Sequence, residues 1–323
     1  MAARRRRWPW VVGAIVALLA VALLWLRTPD LPVDELRAKY ANAESEFVEV
    51  MPGLTVHVRD EGPVLGSVVM LLHGSNASLH TWEPWVQQLK ATHRVISFDH
   101  PGHGLTGPHP RDCYTAACFT EVVEAVAKNR KLDRFVIAGN SMGGWIAWNY
   151  ALKHPERVAG LVLVDASGAP LPPEAEPSQP IGFRLARTPG VNQLMRQITP
   201  RSMVEKSLRQ SVSVQDSVTP TVVDRYWELL RYPGNRRATG IRFGTPRETA
   251  TPDVLGKIGA PTLVMWGRED RLVPAQAATV FDEYIPNSRA VIYEDIGHIP
   301  MEEAPFRSVG DLQAFLGELG PFY

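Results

Sequence analysis

Cysteine is scarce in this chain, which has only 2 cysteines among 323 residues. So few cysteines exclude the disulfide framework of a small secreted domain, and the pair Cys113 and Cys118 shows no metal-ligand spacing. A local disulfide between them would need an oxidising compartment. Buried free thiols are the interpretation that we favour, because unpaired cysteine behaves as a small apolar side chain.

An excess of charge of either sign is also missing. Lys and Arg together number 34, and Asp and Glu together also number 34. A nucleic-acid partner normally requires a basic excess that neutralises phosphates. The composition therefore argues against nucleic acid as a partner, and the length suits one large α/β domain with an insertion of moderate size.

One long uncharged run does occur, Trp8–Leu26, and residues 4–7 before it are all arginine. Its length approaches that of a membrane-spanning helix, and arginines before such a helix favour a cytoplasmic N-terminus. We therefore predict that residues 1–30 form a single-pass membrane anchor and that the rest of the chain is periplasmic or otherwise extracytoplasmic. A cleaved signal peptide is the main alternative, but its apolar region usually spans only about 7 to 15 residues.

From about residue 46 onward, short β-rich runs alternate with helix-like segments, as in a sheet with helices on its faces. Two runs joined at Pro52 and Gly53 form a predicted hairpin. The other runs are continuous and apolar, which is typical of parallel strands buried on both faces. They cover residues 68–72, 94–98, 135–138, 161–164, 262–266 and 290–293. We predict an α/β fold with a mostly parallel eight-stranded sheet and helices on both faces.

The alternation stops between residues 166 and 251. There a proline-rich stretch, with prolines at 170, 172, 173, 177 and 180, precedes amphipathic segments such as residues 222–231. We interpret this region as a helical cap inserted into the sheet domain. The domain core then comprises residues 31–165 and 252–323.

The segment Gly139-Asn140-Ser141-Met142-Gly143 fits the pattern G-x-S-x-G, which places a serine on a sharp turn between a strand and a helix. A predicted strand precedes it and a helix-like segment follows it, as this geometry requires. Small residues two before and two after the serine let the strand and the helix approach closely. Ser141 is therefore the candidate nucleophile, and the Met142 N–H at the helix N-terminus is a candidate donor to an oxyanion.

With this motif the chain resembles the α/β-hydrolase superfamily from about Phe47 to Phe315, apart from the variable cap. The resemblance implies the α/β-hydrolase fold and further site residues. His73-Gly74-Ser75 matches the loop after the third strand, which implies that the Ser75 N–H is the second oxyanion donor. Residues 98–104 (FDHPGHG) match the family's turn after strand four, and we interpret their histidines as loop structure.

The resemblance also implies a base and an orienting acid, since a serine hydroxyl needs an imidazole to accept its proton. His298 is the last histidine and follows the final strand-like run, which fits the family order of serine, acid and histidine. Asp270 lies just beyond the penultimate strand, where the family usually keeps the acid that orients the imidazole. Asp165, after an earlier strand, is the main rival for that role, and Glu269 is a weaker one.

These residues predict a serine hydrolase that forms an acyl-enzyme through a triad of Ser141, Asp270 and His298. No metal or organic cofactor is implied. The predicted anchor favours a lipophilic carboxylic ester or a lipid as substrate, so we expect a carboxylesterase or lipase. Hydrolysis of a carbon–carbon bond in ring-fission diketones is the main alternative, because such hydrolases often share the sequence GNSMGG of residues 139–144. A haloperoxidase-like activity and a non-catalytic binding protein of the same fold also remain open.

Overall fold

The computed structural model describes residues 8–171, 180–188 and 190–322. The arginines at 4–7 and the prolines at 172, 173 and 177, which entered the predictions above, lie outside the described residues. Within the described ranges, strands and helices alternate along most of the chain.

Eight strands of the described chain form a single sheet, as predicted. They are β1 (Ser45–Met51), β2 (Leu54–Glu61), β3 (Val68–Leu72), β4 (Arg94–Phe98), β5 (Phe135–Asn140), β6 (Val158–Val164), β7 (Thr262–Gly267) and β8 (Ser288–Tyr293). Their order across the sheet is β1-β2-β4-β3-β5-β6-β7-β8. Strand β2 is antiparallel to β1 and β4, and every other neighbouring pair is parallel. The mostly parallel α/β sheet with a hairpin at one edge is therefore confirmed.

Helices cover both faces of the sheet. The helices of the described residues, whether or not they lie on the sheet, are α1 (Trp8–Leu26), α2 (Val33–Tyr40), α3 (Glu83–Leu89), α4 (Ala116–Asn129), α5 (Met142–Lys153), α6 (Ile181–Arg187), α7 (Val191–Met195), α8 (Arg201–Ser211), α9 (Pro220–Leu230), α10 (Asn235–Gly244), α11 (Pro252–Leu255), α12 (Gln276–Tyr284), α13 (Pro300–Glu303) and α14 (Pro305–Leu319). Side chains of α4, α5 and α12 share one core with the sheet, and side chains of α3 and α14 share the other.

Strand β3 shows why the strand sequences are continuous apolar runs. Its side chains at Met70 and Leu72 belong to one core, whereas Val69 and Leu71 belong to the other. Successive side chains of a strand point to opposite faces, so a strand covered on both faces needs apolar residues at every position.

Helices α6 to α10 lie between β6 and β7, where the sequence predicts an inserted cap. The amphipathic stretch at 222–231 corresponds to α9, which buries Val223 and Leu229. The Thr219 side chain caps this helix by accepting a hydrogen bond from the Val222 N–H, and Pro220 follows at the first helical position, which needs no N–H donor. The exact boundaries at 166 and 251 stay a prediction.

Helix α1 has the bounds of the predicted membrane span, Trp8–Leu26. Crossing the hydrocarbon core as a helix takes about 20 consecutive apolar residues. Within residues 8–171, 180–188 and 190–322, no helix has both the length and the apolar character to do so. The structure thus contradicts the predicted single-pass anchor, on which the predicted extracytoplasmic location rested.

The two cysteines are joined by a disulfide, so the free thiols that we favour from the sequence are a wrong prediction. Cys118 lies in the first turn of α4, and Cys113 lies in the loop before that helix. The Thr115 hydroxyl caps α4 by accepting a hydrogen bond from the Cys118 N–H at 3.3 Å. This helix start brings the two Cα atoms to 6.0 Å from each other, a separation that a disulfide can bridge.

Candidate active site

Ser141 lies on the turn between β5 and α5, at the carboxyl edge of the sheet. Its backbone angles, φ of 53° and ψ of −114°, fall in a region that residues other than glycine rarely adopt. The Ser141 N–H donates to the Val164 carbonyl at 3.0 Å, which holds the turn against β6. A Cβ on Gly139 would overlap the backbone of Gly143, so the small residues of G-x-S-x-G are a steric requirement of this turn.

The loop after β3 packs directly against this turn. A Cβ on Gly74 would lie 2.8 Å from Asn140 Oδ1 and 3.2 Å from Ser141 Cβ, so glycine lets the loop come this close. The backbone N–H groups of Ser75 and Met142 donate to no acceptor among the described residues. Two free amides beside a serine hydroxyl can stabilise a negative oxygen that forms on a bound carbonyl group.

Asp270 and His298 are hydrogen-bonded to each other. His298 Nδ1 lies 2.7 Å from Asp270 Oδ2. The other carboxylate oxygen of Asp270 accepts hydrogen bonds from the N–H groups of Leu272 at 2.7 Å and Val273 at 3.1 Å, which fix the carboxylate plane. Both side chains are buried. A carboxylate on Nδ1 orients the imidazole and leaves Nε2 available to a serine hydroxyl.

Ser141 and His298 line the same cavity, but no hydrogen bond joins the serine hydroxyl to the imidazole. Catalytic hydrogen bonds of this kind commonly tighten only in the complex with substrate. The fold therefore brings the three predicted residues to one edge of the sheet without closing the contact between serine and histidine.

Contacts from two directions hold the loop that carries His298. Asn140 Nδ2 donates to the His298 carbonyl at 3.0 Å and to the Val164 carbonyl at 3.2 Å. The His298 N–H donates to the carbonyl of Ser211, the last residue of α8, at 3.0 Å. The residue before the serine and the insertion thus both position the imidazole.

Glu303 is a buried carboxylate beneath this loop, and no motif in the sequence marks it. Its Oε2 accepts hydrogen bonds from the N–H groups of Gly297 at 3.1 Å, Ser213 at 2.7 Å and Val214 at 3.0 Å. Its Oε1 accepts from the Ile299 N–H at 3.2 Å. One carboxylate therefore ties the residues on both sides of His298 to the insertion.

Asp165, the rival acid, follows β6 and lies beside the pair. Its Oδ1 accepts a hydrogen bond from the Gly267 N–H at 3.0 Å, and its Oδ2 is buried without a partner among the described residues. Burial, and then the charge of Asp270, raise the pKa of the Asp165 carboxyl well above its usual value. A carboxyl that stays protonated stabilises an imidazolium poorly, so Asp270 is the better-placed acid.

Asp165, Asp270 and His298 each offer an atom within 4.8 Å of the others, a spacing that could also hold a metal ion. Asp270 and His298 already bond to each other, which leaves them less free to bind one. Glu269, the weaker rival acid, is engaged elsewhere, since its Oε2 accepts a hydrogen bond from the Ser213 hydroxyl at 2.8 Å.

The histidines of residues 98–104 are buried in loop packing. The His100 N–H donates to His73 Nε2 at 3.0 Å, and the two imidazole rings lie 4.6 Å apart. Burial lowers the pKa of His73, His100 and His103, which favours their neutral forms. None of these three side chains lines the described cavity in front of Ser141.

The insertion forms most of the apolar wall of this cavity. Its apolar lining residues there are Phe183, Ala186, Met195, Met203, Val204, Leu208 and Leu230. Among the described lining residues, the one arginine is Arg236, and its Nη2 forms an ion pair with Asp30 Oδ1 at 2.6 Å. The cavity therefore offers a neutralised cation and a broad apolar surface to a substrate.

Known proteins are similar to this chain along most of its length. A family model described as the alpha/beta hydrolase fold matches residues 67–305. A 2-hydroxy-6-oxononadienedioate/2-hydroxy-6-oxononatrienedioate hydrolase of Cupriavidus pinatubonensis is 31% identical, over 79% of this chain and 89% of that protein. A 2-hydroxymuconate semialdehyde hydrolase of Pseudomonas putida is 27% identical, over 82% of this chain and 92% of that protein. The solved structure of a meta-cleavage product hydrolase of Pseudomonas fluorescens has a TM-score of 0.74 at 22% identity, covering 86% of this chain and 99% of that one.

These relatives overturn the expected carboxylesterase or lipase activity. The names of the two relatives describe hydrolases of 2-hydroxy-6-oxononadienedioate or 2-hydroxy-6-oxononatrienedioate and of 2-hydroxymuconate semialdehyde, none of which is an ester, so they favour the alternative named above over ester cleavage. The lipophilic ester rested on the predicted membrane anchor, and the described residues contain no helix that could span a membrane. That reason for an ester or lipid substrate is therefore gone.

Proposed function

This chain belongs to the alpha/beta hydrolase family, and from that premise we propose that it is a serine hydrolase that breaks a carbon–carbon bond next to a ketone in ring-fission products. Ser141 is the proposed nucleophile, His298 the base and Asp270 the acid that orients it. The observation that carries the proposal is the similarity to carbon–carbon bond hydrolases along about nine tenths of their length, in a chain whose candidate triad residues gather at one sheet edge.

The first half of the reaction forms an acyl-enzyme. His298 Nε2 takes the proton of the Ser141 hydroxyl as the serine oxygen adds to the ketone carbon. The amides of Ser75 and Met142 hold the resulting oxyanion. The substrate is cleaved as its 2,6-dioxo tautomer, in which the chain carbon next to the ketone is saturated. When the oxyanion collapses, the bond from the ketone carbon to this carbon breaks, and the electron pair is delocalised onto the 2-oxo oxygen. The protonated His298 then returns its proton to the released dienolate, which gives a shorter 2-hydroxy acid.

The second half regenerates the enzyme. His298 takes a proton from water, the hydroxide oxygen adds to the acyl carbon, and the same two amides hold the second oxyanion. Collapse expels the Ser141 oxygen, which takes back the proton from His298. The sum is one substrate and one water giving one carboxylic acid and one 2-hydroxy acid. Asp270 stabilises the imidazolium in both halves.

The proposed substrate has an uncharged group on the ketone. The relatives' names imply different groups on the carbonyl carbon that is attacked. In a dienedioate this group carries the second carboxylate, and in a semialdehyde it is a hydrogen. The apolar wall formed by the insertion, which we propose as a cap over residues 166–251, contributes no free cation of its own, since Arg236, the one arginine among the described lining residues, is paired with Asp30. Burying an unpaired charge is costly, whereas burying an alkyl or aryl group is favourable.

The decisive experiment compares three substrates with purified protein: 2-hydroxy-6-oxo-6-phenylhexa-2,4-dienoate, the corresponding dienedioate and p-nitrophenyl butyrate. We expect the phenyl compound to be cleaved with release of benzoate, and with kcat/KM at least about tenfold above that of the dienedioate. Ser141→Ala should abolish this turnover, whereas Ser202→Ala, at an exposed position of α8, should keep it. Turnover of the ester alone would refute carbon–carbon hydrolysis, and faster turnover of the dienedioate would refute the uncharged group.

A further inference from the structure

Arg242 contacts the side chains of both residues whose backbone amides are the proposed oxyanion donors. This arginine lies on α10 of the insertion. Its Nη1 donates to Ser75 Oγ at 2.7 Å and lies 3.7 Å from Met142 Sδ. Its Nη2 donates to Asn76 Oδ1 at 2.7 Å. One guanidinium therefore joins the loop after β3 to the beginning of α5, on the side of the cavity where the oxyanion would form.

The surroundings of Arg242 are unusual for a buried cation. Only 1% of the residue is exposed to solvent. Its hydrogen-bond partners are a hydroxyl and an amide oxygen, and no described carboxylate lies within ion-pair distance of it. Buried cations in proteins are normally paired with an anion, because an isolated charge is costly to remove from water.

Neighbouring arginines strengthen the positive potential at this point. Burial, followed by the charges of Arg247 and Arg187, lowers the pKa of Arg242. An arginine starts so far above neutrality that its guanidinium stays protonated in proteins. Arg247 also approaches the same hydroxyl, with its Nη2 3.4 Å from Ser75 Oγ. A negative charge placed near Ser75 would therefore relieve repulsion among these cations.

From these contacts we infer that Arg242 is a positioning residue of the oxyanion site, which holds Ser75 and Met142 in place and stabilises the negative oxygen through its unneutralised charge. The inference rests on the proposed serine mechanism but not on which carbonyl compound is the substrate. In a site of low dielectric, a fixed cation close to a developing anion acts strongly and needs no reorganisation during the reaction.

The charge on the oxygen exists only after Ser141 has attacked. A group that stabilises this charge therefore raises kcat and has little effect on KM, because it does not interact with the neutral ketone to the same extent. Loss of one direct oxyanion donor typically costs about 100- to 1000-fold in kcat. Since Arg242 is not itself one of the proposed direct donors to this oxygen, we expect its loss to cost less, about ten- to 100-fold.

The test uses Arg242→Met and Arg242→Lys, with Arg237→Met as the matched control. Arg237 is on the same helix, but its side chain is about half exposed and forms an ion pair with Asp112. We expect kcat of Arg242→Met to fall about ten- to 100-fold with KM within about threefold of the wild type, and Arg237→Met to be unchanged. Arg242→Lys keeps the charge, but one ammonium group cannot reproduce the guanidinium fork, so kcat should fall at least about threefold.

A second readout is the rate at which a fluorophosphonate labels Ser141, because this reaction also builds negative charge on an oxygen at the site. Labelling should slow in Arg242→Met by a factor similar to the fall in kcat. Wild-type labelling and kcat in a folded Arg242→Met protein would overturn the inference, as would a change in KM alone. If Arg242→Met does not fold, wild-type kcat in Arg242→Lys overturns it instead. Failure of wild-type Ser141 to label would refute the proposed serine mechanism, which is a separate outcome.

Discussion

Asp165 and Asp270 lie side by side in the interior, each with a carboxylate oxygen within 4.8 Å of the other and of a nitrogen of His298. Two carboxyl groups this close do not both ionise readily. The raised pKa of Asp165, caused by burial and then by the charge of Asp270, favours a proton on Asp165. Of the two carboxyl groups, only that of Asp270 is hydrogen-bonded to His298.

This division of roles makes Asp270→Asn the damaging substitution. Without the carboxylate, the imidazole loses both its preferred tautomer and the stabilisation of its charged form, so we expect kcat to fall by about 1000- to 10000-fold. Asp165→Asn should keep kcat within about threefold, because an amide supplies the same acceptor to the Gly267 N–H and a donor in place of the carboxyl proton. Steady-state turnover of the two variants is the measurement. Loss of activity in Asp165→Asn and not in Asp270→Asn would exchange the two roles.

The same pair predicts how stability changes with pH. The native protein holds a proton on Asp165 that the unfolded chain releases above the usual value of 3.8 for this carboxyl. The contribution of Asp165 to stability is therefore fully present below that value and declines as the pH rises toward the raised native pKa. Asp165→Asn has no such proton, so the wild type should lose stability relative to this variant as the pH rises from below 3.8 toward the raised native pKa. Urea unfolding of both proteins across this range measures the difference, and a constant difference would contradict the assignment.

Glu303→Gln should reduce turnover without removing any proposed catalytic group. The carboxylate accepts from four backbone N–H groups, whereas the amide of glutamine has one oxygen and a donating NH2 group. Some of these buried N–H groups then lose their acceptor, at a cost of about 1–3 kcal/mol. The loop that carries His298 then loses its fixed position, and we expect kcat to fall about tenfold or more.

The matched control for this prediction is Glu318→Gln, whose carboxylate is more than half exposed and pairs with Arg289. Its kcat and melting temperature should match the wild type. Wild-type kcat in a Glu303→Gln protein with a lowered melting temperature would show that Glu303 supports the fold but not the position of His298.

Short-range patterns in the sequence were enough to predict the sheet and the turn that carries Ser141. The runs at 135–138 and 262–266 fall within β5 and β7, because a strand buried on both faces must be apolar at successive positions. The turn was predictable for a similar reason, since its glycines are required by contacts between residues only a few positions apart. The same patterns did not predict where a helix lies. The bounds of α1 were right, but the membrane span inferred from them was wrong.

Contacts between distant parts of the chain were not predictable in this way. Arg242 and Ser75 are 167 positions apart, and Glu303 and Ser213 are 90 apart. In the sequence, Arg242 and Glu303 each look like an ordinary charged residue on a solvated helix. Their roles arise only when the insertion folds over the carboxyl edge of the sheet, and no local pattern of apolar and polar residues encodes that packing.

Residues 27–31, which follow α1, bond to the insertion at several points. The Thr28 N–H donates to the Gln197 carbonyl at 2.8 Å, and the Thr28 hydroxyl accepts from the Thr199 N–H at 2.7 Å. The Thr28 carbonyl accepts from Arg236 Nη1 at 2.7 Å. Because Thr199 and Arg236 both line the cavity, this short segment supports part of the cavity wall.

Two truncations separate this support from any role of α1. Removal of residues 1–26 leaves every one of these bonds in place, so the melting temperature and KM should stay close to those of the full chain. Removal of residues 1–31 also takes away Asp30 and leaves Arg236 buried without its anion, at a total cost of about 2–4 kcal/mol from the lost hydrogen bonds and ion pair. We expect a clearly lower melting temperature and a raised KM, with Thr28→Val as a milder variant that affects the same contacts. Equal melting temperatures for the two truncations would mean that the insertion holds its shape without this segment.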